Sequence, residues 1–506
     1  MVQDPSKVDG HTTESVVVAK HTRSTKTIVL SLGTAIASIG SMVLGMVLSR
    51  MLTKEEWGTY RQTMLVFALV APVLALGVSK SLFFFLPSSE ERNRGILLES
   101  LAIVSITGLG FLLFMVFGGN ELVANSWENP TLKTTLLIIA PLAVFQLLLA
   151  CAGPCFVSSE KVSLAAAFTA CARISIVVCV VATILFTRDV KILVAANVVA
   201  TGVFAAIAVF LMLSVCKNGR PSFSGAQAIL TYGVPLGIGT MVTTLSRNID
   251  RSMVSAYRST AEYAVFDNGA LEIPLISIVT GSMTSILLVD YRKMLNKPEE
   301  RSLILPLLHR AMIKSGTVLI PAMVFLLFLA PEFMVCVWGS DYRDSATVFR
   351  VYLLMLPIRT FAVGAIGLAA GRTFQLAAIP FIALAVNVVL NYFAIHVFGV
   401  VGCAIATVIV VYFVNGLGRA WIAADVLDCR MRELVNWSDA AKLFCLSAIP
   451  APSLIAVVYF LSGFNSFLVV GVAAAVYFLA IAFLFSKFGL FNISATMSQL
   501  MQRVAR

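Results

Sequence analysis

The stretch Thr244–Arg258, TLSRNIDRSMVSAYR, lies between two long apolar runs and carries Arg247, Asp250, Arg251 and Arg258. On a helix turning about 100° per residue, the three arginines fall within about 40° of one another if the helix continues that far. Asp250, at i+3, is placed to pair with Arg247. Guanidinium groups are permanently charged and donate in pairs to phosphate oxygens, so such a stripe suits a multiply anionic headgroup or acidic sugars. A charge at the bilayer centre costs about 2.5–3.5 kcal/mol on insertion scales and normally faces protein or water. Two placements stay open. The stripe lines the mouth of a cavity, or Arg247, about 30 Å along a helix begun near Gln227, snorkels at the outer interface. Arg258 is expected in the following loop.

Other charged residues in apolar sequence extend the set. Arg50 and Arg61 bracket a corresponding junction nearer the N-terminus, as cavity groups or as interfacial anchors. Arg173 and Arg359 sit deep in apolar segments and face either a lumen or their neighbours. The substrate-binding candidates are therefore Arg247, Arg251, Arg50, Arg61, Arg173 and Arg359. Arg419 is expected to pair locally or to snorkel. Among the acidic residues Glu99, Asp267, Glu272 and Asp425, the best placed to bind a coupling ion or pair with an arginine are Asp267 and Glu272; Asp250 joins them. Nine cysteines and four histidines form no CxxC or CxxC…H arrangement, so no metal, cofactor or thiol chemistry is expected.

The elements that must hold these residues follow from composition. Of 506 residues 59% are hydrophobic and 12% charged, with mean hydropathy +0.93. Soluble domains carry about 25% charged residues, so the chain reads as an all-α polytopic membrane protein. Spanning segments at 27–49, 63–86, 95–118, 134–157, 163–186, 191–215, 227–249, 263–289, 309–330, 345–370, 374–396, 400–427, 439–462 and 465–486 predict about fourteen helices. A polar N-terminal tail, 1–26, has no signal-peptide core, and 487–506 forms a C-terminal tail. Basic residues concentrate on the side of both tails and of the Asp290–Leu308 loop, which places all three in the cytoplasm. The net charge of +11 then reflects topology and anionic lipid, not nucleic acid. No loop is long enough for a catalytic domain, so an enzyme is not expected.

A repeat narrows the architecture. TKEEWGTY, Thr53–Tyr60, aligns with STAEYAVF, Ser259–Phe266, at an offset of 206 residues. Each follows the first helix of a set of six. The expectation is two six-helix bundles, 27–215 and 227–427, related by a pseudo-two-fold axis along the membrane normal. Two further helices, 439–486, stand outside the repeat. Two bundles rocking about a central cavity is a transporter plan.

LSRMLTKEEWGTYRQTMLV resembles the helix 1–2 junction of bacterial polysaccharide flippases, the Wzx-like branch of the multidrug/oligosaccharidyl-lipid/polysaccharide exporter superfamily. ILTYGVPLGIGTMVTTLSRNIDRSMVSAYRSTAEYAVFDNGA is similar to that family's seventh helix, with its Tyr-Gly-x-Pro start and Asp-Arg exit. WGSDYRDSATVFRVYLLMLPIRTF resembles the junction before helix ten, and GRTFQLAAIPFIALAVNVVLNYFAIHVFGVVGCAIATVI the asparagine-bearing helix before Gly-x-x-Gly-x-Ala-x-Ala-Thr. The resemblance covers most of 27–427. It implies movement of a polyprenyl-pyrophosphate-linked oligosaccharide to the outer leaflet for lipopolysaccharide or exopolysaccharide synthesis. It implies the bacterial inner membrane, and as partners the lipid-linked substrate, membrane lipids, a coupling cation and polysaccharide-assembly machinery. The rivals are a cation-coupled drug exporter and a peptidoglycan-precursor flippase. From another class come a membrane glycosyltransferase or polymerase, which would need a larger outer loop. Drug antiport would favour an acidic residue in the first helix, and 27–49 has none.

Overall fold

The computed structural model of the chain describes residues 38–88 and 90–489; the tails 1–26 and 490–506 and the expected helix start at 27–37 lie outside these. Every regular element described is helical. In lipid a backbone has only its own carbonyls to bond, which leaves the helix as the form for long apolar runs. Among the described residues nine helices qualify as spans by length and composition, or eleven with two bent pairs, Pro130–Ile139 + Leu142–Ser158 and Ser345–Leu353 + Leu356–Ala369.

The fourteen expected segments differ from these spans in three places. The first segment contributes the short apolar helix Ser38–Met51. The segment 263–289 divides into Thr260–Gly269 and Pro274–Leu295. The segments 374–396 and 400–427 run together over Thr373–Leu427, interrupted at Gly399, whose φ of +64° suits a residue without a side chain. At Gly402 a Cβ would lie 2.1 Å from the Ala394 carbonyl oxygen, so that position must also stay bare.

The chain divides into two compact units. One comprises Gln62–Met241 with the described residues before Thr53; the other comprises Thr53–Arg61 and the described residues from Val242 onward. The division falls inside the helices Lys54–Ala75 and Phe223–Tyr257 rather than in the polar stretch 216–226. In the first unit Leu82, Leu97, Cys151, Phe156, Met212 and Ile229 share one buried cluster. In the second, Tyr291, Ile304, Leu308, Ile366 and Ala423 share another. Pro298–Trp338 is the most buried of the candidate spans. Trp437–Ala448 and Ser466–Lys487, the helices outside the repeat, pack against it, with Tyr477 donating to the Ser447 carbonyl at 2.8 Å. Elsewhere large apolar side chains such as Phe186, Phe210, Phe393 and Phe483 are exposed, as lipid contact requires.

The repeat is visible as local structure. Thr53 and Glu56 form a reciprocal capping box: the Thr53 N–H donates to Glu56 Oε2 at 2.9 Å, and the Glu56 N–H to Thr53 Oγ1 at 3.3 Å. Ser259 and Glu262 repeat it, at 3.1 and 3.3 Å. Each box starts a helix by satisfying orphan N–H groups. Trp57 and Tyr263, which correspond in the repeat, are both buried. Both boxes belong to the second unit, and the two starts meet closely: a Cβ on Gly58 would lie 2.3 Å from the Thr260 carbonyl oxygen.

Candidate functional site

A cavity of about 920 Å³ lies within the second unit. Its wall is built where helices are interrupted. Arg247, Asp250 and Arg251 come from Phe223–Tyr257, and Glu272 from the non-helical link before Pro274. Arg359 comes from the broken run of short helices after Ser345, and Thr407, Val411, Asn415 and Arg419 from the last part of Thr373–Leu427. Irregular backbone at membrane depth survives where it lines a cavity, because polar surroundings satisfy it.

The charges divide into two kinds. Arg251 Nε lies 2.8 Å from Asp267 Oδ1, and Asp267, itself buried, also accepts from Arg61. Arg251 further donates to Asn248 Oδ1 at 3.2 Å and to the Ala270 carbonyl at 3.0 Å. The buried Asp250 carboxylate accepts from the Tyr352 hydroxyl and from the Arg251 backbone N–H at 2.9 Å. Arg359 and Glu272 pair at 3.1 Å, both partly exposed. Arg247 and Arg419 differ. Each lines the cavity, and neither forms an ion pair or hydrogen bond with a described residue.

Of the residues expected from sequence, Arg247, Asp250, Arg251, Glu272 and Arg359 converge on this cavity. Asp250 does not pair with Arg247 as expected. A buried carboxylate takes the nearest donor from the element packed against it, here Tyr352. Arg61 and Asp267 are absent from the lining and stand behind it, joined to it through Arg251. The Arg61 guanidinium also lies 5.5 Å from the Trp57 ring centre, and Trp57 donates to Asn268 Oδ1 at 3.0 Å. Arg50 and Arg173 belong to the other unit. Arg50 donates to the Met46 carbonyl at 3.2 Å. Arg173 lines a smaller cavity of about 420 Å³ and donates to Ser41 Oγ at 2.8 Å. Arg258 follows the helix end as expected but is half-buried, with its guanidinium on the Ile395 carbonyl. Glu99 and Asp425 are occupied by Arg92 and Arg372. Among the described residues no three His, Cys, Asp or Glu side chains gather as a metal would require.

Sequence reasoning missed Arg419 as a cavity group and Tyr352 as the partner of Asp250. Arg419 carried a usable signal, a lone cation inside an apolar span. Tyr352 carried none, since a tyrosine there reads as packing.

Residues 47–347 match the family described as "Polysaccharide biosynthesis protein". No curated protein sequence matches. Among solved structures the chain is similar to a Lipid II flippase MurJ in an inward closed conformation, with TM-score 0.72 and 18% identity over 91% of this chain and 98% of that one. It is also similar to an inward-facing multidrug resistance MATE family transporter of the MOP superfamily, with TM-score 0.60 and 15% identity over 80% and 99%. A third similarity is to a MOP superfamily transporter from Pyrococcus furiosus whose binding pocket is described as having reverse polarity, with TM-score 0.56 and 14% identity over 80% and 95%. At these identities the shared property is the fold.

Proposed function

The chain belongs to the polysaccharide biosynthesis protein family, and from that premise we propose that it is a flippase for a lipid-linked oligosaccharide. The substrate is a glycan on polyprenyl pyrophosphate, moved from the inner to the outer leaflet of a bacterial inner membrane to supply lipopolysaccharide or exopolysaccharide assembly. The observation that carries this reading is the cavity holding two arginines, Arg247 and Arg419, that form no ion pair or hydrogen bond with a described residue. An uncompensated guanidinium inside a membrane-spanning unit is costly to keep unless an anion uses it. In this reading both termini are cytoplasmic, and bundles 27–215 and 227–427 alternate access while a coupling cation biases the exchange. Polysaccharide-assembly machinery receives the product.

The test is genetic and chemical. In a strain lacking the gene, lipid-linked oligosaccharide should accumulate with its glycan protected from an outside glycosidase, and the restored gene should reverse this. Normal surface polysaccharide and no accumulation would reject the reading.

A second reading, transport of a peptidoglycan precursor, is favoured by the fold similarity to the Lipid II flippase. Its substrate would also be a lipid-linked sugar bearing a pyrophosphate. Rescue of cells depleted of their Lipid II flippase would select it, and failure at normal protein level would exclude it.

A further inference from the structure

We propose that Arg247 and Arg419 are the two groups that receive a dianionic headgroup, while the other cavity arginines are committed to the wall; this rests on the flippase reading. The charge inventory carries the argument. Five arginines line the cavity or belong to the cluster behind it, namely Arg61, Arg247, Arg251, Arg359 and Arg419, against the three carboxylates Asp250, Asp267 and Glu272. With those carboxylates ionised, two positive charges remain. Arg61 and Arg251 are balanced by Asp267 and Asp250, and Arg359 by Glu272. Glu272 also acts on Arg247 through space, so the surplus is shared across the cavity, and Arg247 and Arg419 are the two members with no hydrogen-bonded carboxylate. A sugar–diphosphate–lipid diester carries one negative charge on each phosphate and neutralises the pair, as would two sugar carboxylates.

Local structure turns Arg419 into the cavity. Thr407, Val411, Asn415 and Arg419, spaced by four residues, all line it. In a regular α-helix each such step overshoots by about 40°, so Arg419 would point about 120° away from Thr407. The π-turn at Val411–Gly416 takes up the drift by adding a residue to the turn. Gly364 borders the side chain: a Cβ there would stand 3.5 Å from Arg419 Cδ, in ordinary van der Waals contact. Asn415, on the same face, adds an amide for sugar hydroxyls or phosphate oxygens.

The test is titration calorimetry on the purified full chain in detergent with four probes. They are citronellyl-diphospho-N-acetylglucosamine, its monophosphate analogue, an uncharged citronellyl glucoside, and digalacturonate. Wild type should prefer a dianion over the monophosphate by about tenfold, since each charge-assisted contact is worth about 1.4 kcal/mol or more. R247Q and R419Q should each lose about tenfold for the dianion and bring the dianion-to-monophosphate ratio close to one. R419K should recover part of the loss, keeping charge without the planar fork. R350Q serves as control, since Arg350 is exposed, lies outside the cavity and donates to the Leu327 carbonyl. Thermal unfolding verifies that each variant is folded. Unchanged discrimination in both folded glutamine variants would overturn the proposal, as would a wild type that binds neither dianion. Arg419-dependent binding of digalacturonate alone would keep the pair and remove the lipid-diphosphate reading. Diphosphate binding indifferent to both variants would keep the flippase reading and remove the pair.

Discussion

Arg61 and Asp267 stand at equivalent positions of the internal repeat, 206 residues apart, and form an ion pair with each other. The two copies of one junction are thus fastened by residues that correspond in sequence but are opposite in charge. Asp267 is 1% exposed and holds Arg251 as well, so it is the centre of the cluster.

Asp267→Asn should therefore destabilise strongly. Removing one partner of a buried pair typically costs about 3–5 kcal/mol because the remaining charge is uncompensated. Thermal unfolding in detergent should show a large fall in Tm. Arg61→Gln should give a smaller one, since Arg61 is about one-third exposed and water can serve Asp267 together with Arg251. Equal small effects would mean the cluster is not a structural centre.

The two capping boxes predict matched losses. Thr53→Ala and Ser259→Ala should each cost about 0.5–2 kcal/mol, the usual range for an N-cap. Unfolding midpoints measured side by side should fall by similar amounts, because the hydrogen bonds are nearly identical.

Gly58→Ala should be worse than either. Its new methyl would meet the Thr260 carbonyl at 2.3 Å, a backbone atom that cannot turn aside. Fluorescence-detected size-exclusion chromatography should show loss of the monodisperse peak. A normal peak would show that the two helix starts can separate at little cost.

Glu272→Gln should act on binding rather than on folding. A partly exposed pair such as Glu272–Arg359 contributes about 0–1 kcal/mol. Its loss, however, releases Arg359 into the cavity as a third uncompensated cation. Affinity for citronellyl-diphospho-N-acetylglucosamine should rise by roughly three- to tenfold with Tm nearly unchanged. Weaker binding would show that Glu272 contacts the ligand directly.

Orientation is testable at Lys297. Lys297→Cys should react with a membrane-impermeant maleimide only after cells are opened. Cys151, Cys155, Cys216 and Cys403 are fully buried and can stay; the exposed Cys171 and Cys445 and the partly exposed Cys179, Cys336 and Cys429 must be replaced first. Labelling in intact cells would place the 290–308 loop outside.

Class, the run of helices and the repeat are legible from the amino acids alone, because each is written locally. Low charge content and spanning length force membrane helices, and Thr53–Glu56 and Ser259–Glu262 spell their own caps. The sequence also singled out Arg247, Arg251, Arg359, Asp250 and Glu272, since ionisable residues in apolar runs are expensive enough to stand out. What it did not contain was pairing. A helical wheel assigns Asp250 to Arg247, yet the tertiary packing of Ser345–Leu353 brings the Tyr352 hydroxyl to that carboxylate instead. Nor could spacing show that Arg61 is bound to Asp267 while Arg419 has no described partner. Whether a cation is committed or available depends on which residues, hundreds of positions away, arrive beside it. Only the folded chain decides that, and at Arg419 it does so through one widened turn of helix.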